Sequence, residues 1–402
     1  MMSRRTLLWG AFLAVHVLVA WLGWVLPGGA MGDVVLVYRP WSAAALQGEG
    51  IVGITEAWVY PQLALVPMLL AQALAVPFAA LGPDGAYLVG WALLVTVGDA
   101  LGFAALLGDG RTRRRRRAAW FWTAALLLLG PVALYRIDAI TVPMAVIGGL
   151  WLAQRPWAGA ALLTLGAWVK IWPGALVLAA LAAGRSVRVV LLVAASVTVV
   201  AAAALMSLGA GDNLLGFVFE QGQRGLQIEA VAATPFLWLA AAGQAAIEYD
   251  FDILTYQIVA PGASVVAAML TPVMVAAVAG VLVIGLVRSG QGVAWQRLLP
   301  PLSMAFVTAL IVTNKVGSPQ FETWLIAPVI LWLVFDRARA RVACALVLIV
   351  CALTFAIYPL TYSGLLGAQL LPVALVTARN ALLVALLVHS TQVLLRSPLP
   401  AR

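Results

Sequence analysis

Charge is scarce in this sequence of 402 residues: charged residues make up 10% of it and hydrophobic residues 64%. A soluble domain carries about a quarter charged residues, so this composition, with a mean hydropathy of +1.04, excludes an ordinary soluble protein. Cysteine and histidine are also rare. Cys344 and Cys351 lie on one helix face within one apolar run, which indicates free buried thiols, and His16 and His389 lie in apolar runs without a ligand partner nearby.

Long apolar runs dominate what is present. They are continuous in Ala, Leu and Val rather than alternating, so they predict helices and not a β-barrel. We expect an all-α, polytopic membrane bundle of about twelve transmembrane helices. Several runs are shorter than the ~20 residues of a straight span, which indicates broken or partly buried helices. The predicted spans are 6–26, 86–107, 119–135, 139–153, 157–169, 172–184, 187–208, 265–287, 298–313, 321–335, 342–359 and 372–395.

Basic residues are distributed unevenly about these spans. All but six of the 24 lysines and arginines fall in segments that become cytoplasmic if the spans alternate in direction, as the positive-inside rule describes. The net charge of +9 is therefore an orientation signal and does not indicate nucleic-acid binding. The sequence predicts one multi-pass domain, 1–402, in the cell membrane with both termini cytoplasmic. The six exceptions lie at or near the opposite ends of the spans: Arg39, Arg136, Lys170, Arg224, Lys315 and Arg379.

This orientation depends on the apolar segment 61–81. If the segment crossed the membrane, the run Arg113–Arg117 would lie outside. Three prolines interrupt the segment, and proline disrupts a regular helix, so we expect it to be re-entrant or interfacial. Residues 27–85 then form one long outer loop, and residues 209–264 form a second one that covers a cavity with it. The alternative is an ordinary span with the arginine run outside.

Asp33 follows the first span closely, at the expected outer interface. A carboxylate there can act as a general base; the alternative is a solvated loop acid. No second acid stands beside Asp33, and there is no Asp-x-Asp motif at this point. Because Mg²⁺ and Ca²⁺ normally need several oxygen ligands, we expect no metal site.

Two further places combine charge with apolar surroundings. Arg136 and Asp138 stand between two spans, where they could form a local pair that cancels a buried charge. Lys170 interrupts a long apolar stretch, and Pro173 breaks the helix beside it. The lysine could extend to the membrane surface, or it could line a cavity and bind an anion. We favour the anion site.

A short polar turn, residues 314–322, separates two later spans and contains Lys315 and Glu322 among several hydrogen-bonding groups. Arg379 lies within the last span, several residues in from its outer end. Together with Arg224, these basic residues could neutralise a phosphate.

Six short stretches, spread over nearly the whole chain, form a series: Asp33 with Tyr38, Tyr60-Pro61, Arg136 with Asp138, Val169-Lys170 before Pro173, Arg224-Gly225-Leu226-Gln227-Ile228-Glu229, and Asn314-Lys315 with Ser318-Pro319-Gln320. In this order they resemble the polyprenyl-phosphate-sugar-dependent membrane glycosyltransferases of the GT-C superfamily. Within that superfamily they resemble glycosyltransferase family 87, which includes actinobacterial polyprenol-phosphate-mannose-dependent mannosyltransferases. The last two stretches are the most specific. Family members usually carry Tyr-Pro-Pro where this sequence has Tyr60-Pro61-Gln62.

The resemblance implies a first outer loop with interfacial helices and a catalytic acid in that loop, which corresponds to Asp33. It also implies a lipid-phosphate sugar donor and inversion at the anomeric carbon. We therefore expect the donor phosphate to be bound by several of Lys170, Arg224, Arg136 and Lys315, with Lys170 the strongest candidate. Further substrate contacts are expected from Tyr38, Tyr60, Asp138, Gln227, Glu229, Gln320, Glu322 and Arg379.

The predicted function is transfer of a hexose, with mannose favoured, from a polyprenyl-phosphate donor to a hydroxyl of a glycolipid or polysaccharide acceptor on the outer side of the membrane. The expected partners are the donor, the acceptor and membrane lipids; no cofactor is expected, and we expect a monomer. A transporter or flippase of a lipid-linked sugar would use the same cations without a base. Transporters often consist of two repeated halves, and the sequence shows no such repeat. A non-catalytic scaffold would not need charges at membrane depth.

Overall fold

The computed structural model describes residues 4–222, 224–250 and 255–399, which are helical apart from one β-hairpin and the connecting loops. The first eight helices are α1 (Arg4–Val25), α2 (Arg39–Gln47), α3 (Leu65–Ala75), α4 (Gly82–Leu107), α5 (Arg113–Leu129), α6 (Asp138–Trp151), α7 (Pro156–Val169) and α8 (Gly174–Ala182). The others are α9 (Val187–Ser207), α10 (Gly216–Gly222), α11 (Thr234–Ala241), α12 (Ala263–Gly290), α13 (Trp295–Val312), α14 (Ile326–Phe335), α15 (Arg341–Phe355), α16 (Tyr362–Leu366) and α17 (Leu370–Leu395). The hairpin pairs β1 (Ala246–Asp250) with β2 (Thr255–Val259) in antiparallel register.

Each of the twelve predicted spans coincides with one of these helices. Among the described residues, seven helical stretches are long and apolar enough to cross a membrane. The prediction of an all-α membrane bundle is therefore confirmed. The helices form because continuous Ala, Leu and Val runs satisfy all of their backbone hydrogen bonds within the segment, as lipid requires.

Two of the shorter helices, α6 and α14, lie inside the bundle, whereas two of the longest, α9 and α12, lie at its rim. All residues of α14 from Ile326 to Leu333 are buried, and most of α6 is buried as well. By contrast, only 11% of the apolar window in α9 and 17% of that in α12 are buried. A helix that is too short to span lipid leaves polar ends, and these ends are tolerated when protein surrounds them.

Segment 61–81 is helical from Gln62 to Leu81, because 3-10 turns at Gln62–Ala64 and Val76–Leu81 flank α3. It continues directly into α4, so that Gln62–Leu107 is one of the seven apolar stretches. Its main helix, α3, has 11 residues and is about 16 Å long at 1.5 Å per residue. It folds back against the first half of α4, and the approach is close: a β-carbon at Gly90 would lie 2.5 Å from the backbone oxygen of Ala71. Only glycine allows this contact between the two helices.

An ion pair joins a residue that precedes this segment to a residue that follows it. Arg39 Nε at the start of α2 lies 2.7 Å from Asp84 Oδ1 at the start of α4. Residues 39 and 84, which precede and follow residues 61–81, therefore lie at the same level of the bundle. Whether residues 61–81 re-enter or cross the membrane, and on which side this contact lies, stays a prediction.

The two predicted loop segments, 27–85 and 209–264, contact each other. Gln62 Nε2 donates to the carbonyl oxygen of Asn213 at 2.8 Å, and Asn213 Nδ2 donates to that of Ile54 at 2.8 Å. Residues 226–228 of the second segment lie beside β2, and the amide of Gln227 donates to the carbonyl of Lys315 at 3.0 Å. Both segments thus meet over the turn between α13 and α14.

We expect cysteines placed at Glu49 and Asp84 to be labelled from the same side of the membrane, and a cysteine at Thr112 from the opposite side, because α4 alone crosses between them. The measurement is modification by a membrane-impermeant thiol reagent in a background without Cys344 and Cys351, both of which are free thiols. Labelling of Glu49→Cys and Asp84→Cys from opposite sides would show that residues 61–81 cross the membrane.

Candidate active site

Asp33 follows α1 and directly precedes a π-helical turn, Val34–Tyr38. Its side chain is 38% exposed, and its Oδ2 lies 3.5 Å from Nε of Arg136, whose side chain is 5% exposed. The carboxylate is therefore fixed on one side by a buried cation and open on the other. A carboxylate in this position can reach a hydroxyl group that enters from the open side.

Arg136 is held on its remaining sides by neutral oxygens. Its Nη1 donates to the carbonyl oxygens of Ala30 at 2.9 Å and Tyr135 at 3.1 Å, and its Nη2 donates to the hydroxyl of Tyr358 at 3.0 Å. Burial alone would lower the pKa of Arg136, but the charge of Asp33 and the neighbouring phenols raise it above its ordinary value. Arg136 is thus a permanent cation that lies next to the carboxylate of Asp33.

Tyr358 was not identified from the sequence. It lies in a π-helical turn, Ala356–Leu360, between α15 and α16. Its hydroxyl accepts from Arg136 and donates to the carbonyl oxygen of Gly29 at 3.2 Å. It is 222 residues away from Arg136 in the chain, and nothing in the local sequence marks the partnership.

Asp138 and Lys170 form the second buried pair. Lys170 Nζ lies 3.6 Å from Asp138 Oδ2, with side-chain exposures of 12% and 0%. Trp324 Nε1 donates to the other carboxylate oxygen at 2.6 Å. The local pair of Arg136 with Asp138 that the sequence suggested is therefore replaced by two longer-range pairs, one with Asp33 and one with Lys170.

Lys170 stands at a true break in the helices, as predicted. It follows the last residue of α7 with an extended backbone (φ −151°, ψ 130°), and α8 begins at Gly174 after Pro173. Its ammonium lies 4.3 Å from the centre of the Tyr60 ring, close enough for a cation–π interaction. Trp324, which contacts the partner of Lys170, is the other functional candidate that the sequence did not reveal.

Two tyrosines, Tyr38 and Tyr60, lie near both ion pairs. The hydroxyl of Tyr38 accepts from the amide of Ile137 at 3.2 Å. Burial raises the pKa of both Tyr38 and Tyr60. The charge of Lys170 opposes this shift at Tyr60, while the charge of Asp33 adds to it. Tyr60 therefore lies within electrostatic reach of both the carboxylate and the lysine.

A cavity of about 300 Å³ opens beside Tyr60. Lys170, Lys315 and Asn314 line it, and the rest of its wall includes apolar side chains such as Ile171 and Met274. No carboxylate is among the described residues that line it. A cavity with two lysines and no acid is suited to a small anionic group joined to an apolar one.

Lys315 lines the cavity, and Arg224 lies near Tyr60, which also lines it. Lys315 Nζ donates to the carbonyl oxygen of Gly222 at 2.6 Å, and burial lowers the pKa of this lysine. Burial also lowers the pKa of Arg224, against the opposing effects of Tyr60 and Glu220. An anion bound next to either cation would oppose this effect of burial.

Gln227 and Gln320 have local partners. The amide group of Gln227, in its better-satisfied orientation, donates to the carbonyl of Gly317 and accepts from Arg224. Gln320 Oε1 accepts from the hydroxyl of Ser318 at 2.5 Å. Both residues stabilise the polar turn and the segment packed on it.

Arg379, Glu229 and Glu322 form a separate, fully buried cluster. Arg379 Nη1 lies 2.5 Å from Glu229 Oε2 and Nε lies 3.7 Å from Glu322 Oε1, with every side chain 2% exposed. Arg379 also donates to the carbonyl of Glu229 and to Asn380 Oδ1. Its donors are therefore occupied within the protein. This geometry ties the second loop segment to α17.

An apolar groove of about 470 Å³ lies between α3, α4, α6 and α7. Its lining residues are hydrophobic apart from one glycine, and they include Leu63, Leu70, Leu101 and Val169. Val169 directly precedes Lys170, which lines the cavity. The groove and the cavity therefore both reach the end of α7.

Comparisons with known proteins are sparse. No family model matches the chain, and no curated protein matches it. Among solved structures, the chain is similar to the crystal structure of ArnT from Cupriavidus metallidurans in the apo state. The two share 16% sequence identity, the match covers 97% of this chain and 78% of that one, and the TM-score is 0.45.

Replacing Arg379 by Met is expected to destabilise the protein by about 3–5 kcal/mol, because it leaves two buried carboxylates without their cation. The measurement is the thermal unfolding temperature in detergent. Arg39→Met is the control: its pair with Asp84 is partly exposed, with side chains 31% and 57% exposed, and a pair at the surface contributes about 0–1 kcal/mol. Equal losses from the two substitutions would contradict the structural role of Arg379, whereas partial recovery in Arg379→Met/Glu229→Gln/Glu322→Gln would support it.

Proposed function

We propose that this protein is a membrane glycosyltransferase. It transfers a hexose, with mannose favoured by the family resemblance, from a polyprenyl-phosphate carrier to a hydroxyl group of a glycolipid or polysaccharide on the outer side of the membrane. The observation that carries the proposal is the position of one reachable carboxylate, Asp33, near a cavity that is lined by two lysines and by no described acid. Transfer of a sugar from a phosphate to a hydroxyl requires a base and an anion site side by side.

The proposed reaction is a single displacement. Asp33 accepts the proton of the acceptor hydroxyl while that oxygen forms a bond to the anomeric carbon. The bond from the anomeric carbon to the phosphate oxygen breaks, and its electron pair leaves with the carrier phosphate. Attack opposite to the leaving group inverts the anomeric configuration. No metal ion is part of this scheme.

The leaving phosphate gains one negative charge during the reaction. Cations next to it therefore stabilise the transition state more than the bound substrate. Lys170 and Lys315 line the same cavity, and Arg224 lies near enough to Tyr60 for their charges to interact. We assign these three residues to the donor phosphate, with Lys170 the main contact because its ammonium lies at a helix break.

For Arg136 we propose a role different from a phosphate contact. Its two terminal nitrogens already donate to two carbonyl oxygens and to Tyr358, and its Nε is directed at Asp33. Arg136 therefore holds the carboxylate of Asp33 in position beside the acceptor.

We assign the apolar groove to the isoprenoid chain of the carrier. Its wall contains hydrophobic side chains from four helices, and it ends at Val169, next to Lys170. A carrier whose phosphate sits at Lys170 can thus leave its chain at membrane depth.

Asp33→Asn is expected to reduce sugar transfer by about 10²–10⁴-fold, because it removes the proton acceptor and keeps the size of the side chain. The measurement is turnover of purified enzyme with donor and acceptor, together with donor binding, which should be unchanged. Near-normal turnover would remove Asp33 from this role. If the wild type shows no measurable sugar transfer, and Asp33→Asn still moves a lipid-linked sugar across the membrane, the result favours a transporter.

Lys170→Met is expected both to destabilise the protein, because it leaves Asp138 buried without its cation, and to abolish donor binding. The double variant Lys170→Met/Asp138→Asn separates these effects. We expect it to regain the unfolding temperature of the wild type while its donor KM stays high or its turnover stays absent. Recovery of both stability and activity would mean that Lys170 only balances Asp138.

Tyr358→Phe is expected to lower kcat about 3- to 30-fold with little change in donor KM, because it removes one hydrogen bond from Arg136, and one such bond contributes about 1 kcal/mol or more when a charge takes part. Thr361→Val, which removes a hydroxyl that is bonded only to its own helix at Ala356, is the control and should leave kcat unchanged. A rise in KM alone would contradict a positioning role for Tyr358.

A further inference from the structure

Helices α5 and α15 lie side by side and run in the same direction. Gly130, directly after α5, packs on the ring of Phe355, the last residue of α15, and a β-carbon at Gly130 would lie 2.6 Å from that ring. The helices have 17 and 15 residues. Their first residues, Arg113 and Arg341, therefore lie at the same end of the bundle. Both ends are helix N-termini, which carry a partial positive charge.

Some arginines at this end serve the fold. Arg115 donates to the carbonyl oxygens of Ala105 and Leu106, both at 3.1 Å, and so satisfies the end of α4. Arg116 donates to carbonyl oxygens of the preceding loop at 2.9 and 2.6 Å. Arg339 pairs with Asp336 and donates to Ser397 Oγ at 2.9 Å. These residues have local partners that account for them.

Four other arginines at this end have no such local partner among the described residues. Within the described ranges, no hydrogen bond or ion pair engages the side chains of Arg113, Arg117, Arg337 and Arg341. Arg113, Arg337 and Arg341 lie close enough to Arg117 for their charges to act on it. Four like charges thus converge from two segments that are more than two hundred residues apart. Orientation in the membrane needs only a number of positive charges near the helix ends and does not require this convergence.

Exposed apolar side chains continue below the four arginines. On α5, Trp120 is 43% and Leu127 40% exposed; on α15, Val342 is 50% and Ile349 49% exposed. Trp120 and Leu127 follow Arg113 at intervals of seven residues, so they lie on the same helix face. The surface is therefore cationic at its end and hydrophobic along its length, which matches the shape of a phospholipid.

We propose that Arg113, Arg117, Arg337 and Arg341 bind the headgroup of a phospholipid with two phosphate groups, whose acyl chains lie along α5 and α15. One phosphate would leave most of the four charges unpaired. The axes of packed helices are about 8–10 Å apart, so a headgroup with two separated phosphates can reach both helix ends. Arginine favours phosphate because its planar group donates two parallel hydrogen bonds. This site is independent of the proposed glycosyltransfer.

The test compares two variants that remove the same charge. Arg117→Gln/Arg341→Gln removes one arginine from each helix of the site, whereas the control Arg111→Gln/Arg114→Gln removes two from the same run outside it. Both change exposed residues, and both should fold. Binding of cardiolipin, phosphatidylglycerol and phosphatidylcholine is measured by lipid exchange in nanodiscs and by native mass spectrometry.

We expect the wild type to bind cardiolipin most tightly, and the site variant to bind it about 10- to 30-fold more weakly, from the usual effect of a basic residue at an anionic surface. The control should resemble the wild type, and Arg113→Gln/Arg337→Gln should reproduce the loss. Equal losses in site variant and control would show a general charge effect and overturn the proposal. So would cardiolipin binding no tighter than phosphatidylglycerol binding, or displacement of cardiolipin by soluble pyrophosphate.

Discussion

Ionisable side chains buried among hydrophobic helices must have partners, and this requirement organises the polar part of the molecule. Asp33 pairs with Arg136, Asp138 with Lys170, and Glu229 with Arg379. The first and the third pair join a loop segment to a distant part of the bundle, so they also determine how the loop segments sit on it. The second pair joins the consecutive helices α6 and α7 at their adjacent ends. Stability and the candidate chemistry therefore depend on the same contacts.

The helices and the helix break at Lys170 could be predicted because apolar runs and a neighbouring proline are local features. The partners of the charges could not. Arg379 lies 150 residues from Glu229, and which helix faces meet is decided by packing over the whole bundle. Arg136 and Asp138 were paired in the sequence because they are neighbours, yet the turn between them directs one to the first loop segment and the other to α7. Tyr358 and Trp324 were missed for the same reason.

The candidate site combines two environments that a sugar transfer between a lipid and a hydroxyl would need. Asp33 is 38% exposed, whereas Lys170 lines a cavity that contains a second lysine, and its neighbour Val169 lines an apolar groove. Tyr60 lies within electrostatic reach of both Asp33 and Lys170.

The contact between the two loop segments consists of amide groups: Gln62 and Asn213 donate to backbone oxygens of the opposite segment. Neutral hydrogen bonds of this kind are not weakened by dissolved ions, whereas the exposed pair of Arg39 with Asp84 is subject to screening. We therefore expect the contact between the two loop segments to persist at both low and high ionic strength. The ion pair between Arg39 and Asp84, at the start of α4, would by contrast respond to the ionic strength of its surroundings.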